Sequence, residues 1–119
     1  MDLQNKNNSK PLREATYFIL LSLYQQPKHG YAIMKDVELL SSGRIRFSTG
    51  TLYGALKRLL EDKWIRRVEM MIPEENSRER KSYELTEKGR NVFNIEYNRL
   101  KLLINLAVKR TSPGESHPI

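Results

Sequence analysis

A mostly α-helical fold with one small β-hairpin and a long C-terminal helix is predicted by three features of the sequence. Apolar residues recur at helical spacing in four separate stretches. One segment, beginning at Trp64, switches to period two and is answered after a polar loop by a second short apolar run. Pro27, Ser48 and Thr86 punctuate these stretches as a stop and two caps. The chain has 119 residues, the length of a single domain with a modest core.

Residues 1–10, MDLQNKNNSK, are expected to form a disordered N-terminal arm. Pro11 is suited to opening a helix, and Leu12 to Gln26 carries apolar residues on most sides, as a deeply buried helix does. Pro27 stops it. A second helix is expected from about Gly30 to Ser41, where Ser41-Ser42-Gly43 ends it. Arg44-Ile45-Arg46-Phe47 alternates and predicts a minor strand.

Ser48-Thr49-Gly50-Thr51 is a helix start, because hydroxyls there accept from the free N–H groups of a first turn. On a wheel of about 100° per residue, Ala55, Leu56, Leu59 and Leu60 fall within about 80° of Leu52. Gly50, Thr51, Gly54, Lys57, Arg58 and Glu61 point away, and Tyr53 sits on the border. The third helix, ending near Asp62, therefore has a leucine floor and an outer face of small and basic residues.

Trp64 to Ile72 reads as a strand with Trp64, Val68, Met70 and Ile72 on one face and Arg66, Arg67 and Glu69 mostly on the other. PEENSRER, residues 73–80, is a polar loop, and Ser82 to Leu85 returns as the second strand. Thr86 caps a last helix running to about Arg110, in which Phe93, Tyr97, Leu100, Ile104 and Ala107 alternate four and three apart. Leu103 and Leu106 widen that seam. The order is helix, helix, helix, hairpin, long helix. It predicts a winged helix-turn-helix over residues 11–85, a dimerisation helix over 86–110 and a flexible tail over 111–119.

Composition removes several functions. Without cysteine there is no thiolate nucleophile, disulfide framework or Cys-ligated zinc. The two histidines, His29 and His117, have no partner for a catalytic triad or a metal cluster. No catalytic residue, metal ligand or cofactor is predicted, and the chain reads as a non-enzyme. Its most apolar stretch, Tyr17 to Tyr24, is too short to span a bilayer, and the polar N-terminus lacks the apolar core of a signal peptide. A cytoplasmic protein without membrane association is expected. The formal net charge of +7 and the pI of about 9.8 point to an anionic partner such as nucleic acid.

The segments HGYAIMKDV (29–37), FSTGTLYGALKRLLEDKWI (47–65) and RKSYELTEKGR (80–90) together resemble the PadR family of bacterial transcriptional regulators. GTLY, the following LKRLL and the later LTEKG carry the likeness, which covers about residues 12–110; the single C-terminal helix is similar to the short branch of the family. The resemblance implies homodimers that repress transcription, with the last helix in the dimer contact. It also implies, for some members, a response to phenolic acids or drug-like aromatic compounds. Three positions depart from the family pattern: Lys63 replaces a usual glycine, Ser77 and Glu79 replace wing glycine and proline, and Leu100 stands where drug-binding relatives carry tryptophan. The last weighs against aromatic stacking of a drug there.

The expected DNA-binding residues are Thr49, Thr51, Tyr53, Gly54, Lys57 and Arg58 on the third helix, Arg78, Arg80 and Lys81 on the wing, and Lys28 before the second helix. Each has a plainer reading as a solvated face or, for Tyr53, as packing. Phe93, Tyr97, Leu100, Leu103, Ile104 and Ala107 are expected at a dimer contact. Ala15, Ile19, Phe93, Tyr97 and Leu100 are expected to line a site for a small apolar or aromatic effector between protomers. The partners predicted are double-stranded DNA, a second copy of the chain and that effector. The function predicted is sequence-specific transcriptional regulation by a homodimeric repressor at a pseudo-palindromic operator. The alternative is a winged-helix protein-interaction adaptor without DNA readout.

Overall fold

The computed structural model describes residues 10–69 and 81–113. Four helices and three short strands follow in the order α1 (Glu14–Ser22), β1 (Lys28–His29), α2 (Gly30–Leu40), α3 (Thr49–Glu61), β2 (Ile65–Val68), β3 (Ser82–Leu85) and α4 (Glu87–Thr111). The strands form one antiparallel sheet in the order β1-β3-β2. This is the winged helix-turn-helix arrangement with a long C-terminal helix.

Helix α1 is shorter than its apolar pattern. Pro11 lies before it, and it ends at Ser22 in a tightened turn in which Tyr24 N–H donates to the Leu21 carbonyl. Tertiary bonds draw the next residues out of the helix. The Tyr24 hydroxyl donates to Asn94 at 3.2 Å, and the Tyr24 carbonyl accepts from Arg90 at 3.1 Å.

The third strand is not where alternation placed it. Arg44 to Phe47 is extended but pairs with no strand; Lys28–His29 instead adds to the free edge of β3, with Lys28 opposite Tyr83 and His29 opposite Ser82. Side chains hold the 44–47 segment. Arg44 pairs with Glu14, Arg46 lies 3.4 Å from Glu38, and Ile45 N–H donates to Ser41 Oγ. Its alternation reflects Ile45 and Phe47 turned towards the core and two arginines turned to water.

One core joins all the helices to the sheet: Ile19, Leu20 and Leu23 from α1 and its exit, Ile33 and Val37 from α2, Leu52, Leu56 and Leu59 from α3, and Ile65, Tyr83, Leu85 and Phe93. Helix α3 closes in a Schellman motif. Trp64 N–H returns to the Leu59 carbonyl, Lys63 N–H to the Leu60 carbonyl, and Lys63 takes the left-handed conformation at φ 65°. Thr86 then ties that exit to α4: its hydroxyl donates to the Lys63 carbonyl at 2.7 Å and accepts from Gly89 N–H at 2.9 Å. Past residue 100, α4 leaves the domain, and residues 101–111 are exposed all round.

Candidate nucleic-acid interface

The sequence at 48–51 builds the start of α3 as a capped turn. Ser48 Oγ accepts from Thr51 N–H at 3.1 Å and donates to Thr51 Oγ1 at 3.0 Å, which leaves the other first-turn N–H groups facing outward. Leu52, Leu56 and Leu59 are buried, so α3 is held by one face. The opposite face presents Thr49, Gly50, Thr51, Gly54, Lys57, Arg58 and Glu61 to solvent. A β-carbon at Gly50 or Gly54 would meet nothing within 4 Å. Among the described residues no carboxylate forms an ion pair with Lys57 or Arg58. The result is a smooth cationic ridge with donors at its N-terminal end, a shape and charge suited to the phosphates and base edges of a major groove.

Tyr53 divides its surface between two roles. It is 40% exposed, yet its ring lies so close over Gly30 that a β-carbon there would overlap the phenol. The α2–α3 angle is thus set by Tyr53 against a glycine. Below it, Tyr83 is buried beside Tyr53 and Arg67; burial raises the Tyr83 pKa, and the Arg67 guanidinium opposes that only in part.

The other expected DNA residues lie as follows. Lys81 is exposed at the start of β3, with its carbonyl accepting from Gly30 N–H. Lys28 points inward: its ammonium donates to the Ser22 carbonyl at 2.6 Å and lies 3.8 Å from Asp36, so it clamps the exit of α1 to α2. Arg78 and Arg80 lie outside the described residues. The two strand arginines, grouped on one face by alternation, are separated by the sheet. Arg66 is opposite Glu84, and Arg67 is opposite Tyr83. Ile65, which the pattern left unassigned, is the buried residue of β2 and shares the Arg67 face.

On α4 the expected seam splits. Phe93 fills the core of its own chain, stacked on Tyr17 at 4.9 Å and tilted against Tyr24 at 5.2 Å, so its aromatic face is spent within the protomer. Leu100 is half-buried. Tyr97, Leu103, Ile104, Leu106 and Ala107 are exposed, and so are Ile95, Leu102 and Val108, which the heptad reading had not placed at a contact.

The expected effector set does not line one cavity in the chain. Ile19 and Phe93 are core residues. The large cleft, about 1010 Å³, lies between the start of α1, the rear of α3 and the base of α4, and of the five expected residues only Ala15 lines it. Its apolar walls include Leu12, Phe47, Trp64, Val92 and Ile95. It also contains Glu96, a buried carboxylate held by Arg99 through bonds of 2.9 and 2.6 Å, which lower its pKa against the opposing effect of burial. Thr51 and Arg58 border the same cleft, so its rear wall is the helix that carries the cationic ridge. Among the described residues no cluster of three metal-ligating side chains occurs, and no helix is long and apolar enough to cross a membrane.

Comparison with known proteins agrees with this architecture. A PadR family transcription regulator from Clostridium difficile superposes with a TM-score of 0.63 at 24% identity, covering 82% of this chain and 97% of its own. A PadR-like transcriptional regulator from Bacillus cereus gives 0.62 at 22% identity, covering 84% and 92%. An uncharacterized 37.1 kDa protein in transposon TN4556 of Streptomyces fradiae is 32% identical over 102 residues, which are 86% of this chain but only 27% of that relative. The sequence profile of the PadR-like transcriptional regulators matches residues 19–95. With that match running from α1 into α4, over a fold shared with solved members, the chain belongs to the PadR-like family of transcriptional regulators, not to a family of enzymes.

Proposed function

We propose that the protein is a homodimeric DNA-binding repressor that reads a pseudo-palindromic operator. One observation carries the reading: α3 buries Leu52, Leu56 and Leu59 and turns a capped N-terminus, two open glycines, Lys57 and Arg58 to solvent. The long α4 supports the homodimer, since Leu103, Ile104, Leu106 and Val108 are each about half exposed in a single chain. Burying the remaining half of such side chains is favourable by about 0.8–1.5 kcal/mol each. A two-fold assembly would hold two α3 ridges about one helical turn of DNA, about 34 Å, apart or a multiple of that.

Replacing both Lys57 and Arg58 by alanine and measuring affinity for the selected duplex at fixed salt tests the reading. Binding should weaken by about 60-fold at 0.1 M salt, as expected for two lost phosphate contacts. Unchanged binding with an intact far-ultraviolet spectrum would remove α3 from the interface.

An apolar or aromatic effector would relieve repression by changing the spacing of the two ridges, so that DNA and effector each weaken the other's binding. Trp64 on the wall of the cleft supplies the signal. Titration with aromatic acids or lipophilic cations should alter both indole fluorescence and duplex affinity. If no compound changes either quantity, the reading loses its regulatory arm.

A further inference from the structure

Two arginines stand side by side on β2, and the sheet gives them different neighbours. Arg66 is opposite Glu84, and its guanidinium donates twice to one carboxylate oxygen, at 2.8 and 2.5 Å. Its charge is neutralised where it stands. Arg67 is opposite Tyr83 and shares the face of Ile65, Tyr83 and Leu85, the face turned to the core and α3. Its guanidinium lies beside the Tyr83 phenol, a neutral group. No carboxylate among the described residues pairs with it.

Position and charge point the same way. Tyr83 is buried and sits beside Tyr53 of α3, so the phenol opposite Arg67 is itself packed towards the reading helix. On the α3 wheel, Tyr53, Lys57 and Leu60 fall within about 60° of one another. Both strand arginines, with Leu60, Lys63, Ile65 and Thr86, line a shallow groove of about 470 Å³ at the exit of α3, so what separates them is their cross-strand partner and not their distance from the helix. A guanidinium set beside a phenol, with no carboxylate among the described residues on it, offers both charge and a planar donor fork to an anion. These are the requirements of a backbone phosphate contact.

We propose that Arg67 is a phosphate-contacting residue flanking the reading helix, and that Arg66, its neighbour in sequence, is a structural cross-strand tie. The inference rests on the DNA-binding reading above and adds to it a residue on a strand of the hairpin, outside both the reading helix and the loop between the strands. Arg67 extends the contact surface along the Lys57 side of α3. Sequence specificity stays with the helix, because a phosphate carries no base identity.

The experiment measures duplex affinity by fluorescence anisotropy over a series of salt concentrations, for wild type, Arg67→Gln, Arg67→Lys and Arg66→Gln. Glutamine removes the charge and keeps a polar, hydrogen-bonding side chain. Arg67→Gln should reduce the slope of log K against log salt by about 0.9, the value of one phosphate, and weaken binding by about eightfold at 0.1 M salt. Arg67→Lys should keep the slope, and Arg66→Gln should leave it unchanged. The proposal is overturned if Arg67→Gln keeps the wild-type slope, or if both glutamine variants lower it equally. A wild type whose duplex binding is independent of salt would instead remove the DNA reading itself. Arg67 is on a strand edge and exposed, and the circular dichroism of each variant should match wild type.

Discussion

Gly89 of α4 lies directly under the main-chain carbonyl of Trp64, with no room for a β-carbon between them. The same carbonyl accepts from Thr86 N–H at 3.0 Å, so the exit of α3, the end of the hairpin and the start of α4 converge on one point. The obstruction is backbone, which cannot rotate away. Gly89→Ala should therefore lower unfolding free energy by about 2–3 kcal/mol, the upper range for overpacking. Urea denaturation measures it, and an unshifted midpoint would show that α4 does not depend on this contact.

Gly54 makes the opposite case. It sits inside α3 with open space around it, where glycine costs about 0.5–1 kcal/mol relative to alanine. Nothing among the described residues requires it. Gly54→Ala should raise stability by that amount while weakening duplex binding, because in the proposed DNA-binding mode the added methyl would stand where the DNA backbone approaches. A stabilised variant with unchanged affinity would mean that Gly54 faces only water.

Lys63 holds φ 65° at the close of the Schellman motif, a conformation that costs a side-chain-bearing residue about 1–2 kcal/mol. Lys63→Gly removes that strain but adds freedom to the unfolded chain. The net gain expected is about 0.5 kcal/mol, and thermal unfolding should show a rise of a few degrees. Lys63→Ala, which keeps the strain, should show none.

Glu96 sets an acid limit on stability. Its pKa is lowered in the folded chain, first by the hydrogen bonds from Arg99 and then by the Arg99 charge and a bond from the Leu12 backbone, with burial opposing them. The folded state therefore binds the proton less readily than the unfolded state. The contribution is complete above the ordinary carboxylate value, about 4.3, and is lost as pH falls below it. Glu96→Gln should be less stable than wild type at neutral pH, and the difference should shrink as pH falls below that value. A difference independent of pH would show that the Arg99 bonds do not depend on the charge.

The parts of this fold that were legible in the sequence are those governed by local rules. Ser48 and Thr86 cap their helices because a hydroxyl three residues before an N–H has one short way to satisfy it. The leucine floor of α3 follows from its 3.6-residue period. The strand at Lys28–His29 was not legible, because two polar residues become a strand only when β3 offers them an edge. The same edge-dependence hid the difference between Arg66 and Arg67, which alternation placed together and Glu84 and Tyr83 set apart. Lys28 looked like a phosphate ligand because nothing local shows that the Ser22 carbonyl and Asp36 lie within its reach. Phe93 fitted the heptad, but a heptad records an apolar face and not which protomer covers it.

Ile104 is 61% exposed in the single chain and belongs to the part of α4 that leaves the domain. Ile104→Glu should leave the far-ultraviolet spectrum unchanged, halve the mass measured by light scattering, and weaken duplex binding by about 100-fold or more as two linked reading heads become one. A dimer of unchanged mass would place the contact elsewhere.

The central claim, that two copies of the α3 ridge read one duplex, is tested most directly by a hydroxyl-radical footprint on the duplex that the protein selects from a random pool. Two protected patches on one face of the DNA, centred about 10 base pairs or a multiple apart, are expected. A single patch or uniform cleavage at saturating protein would contradict it.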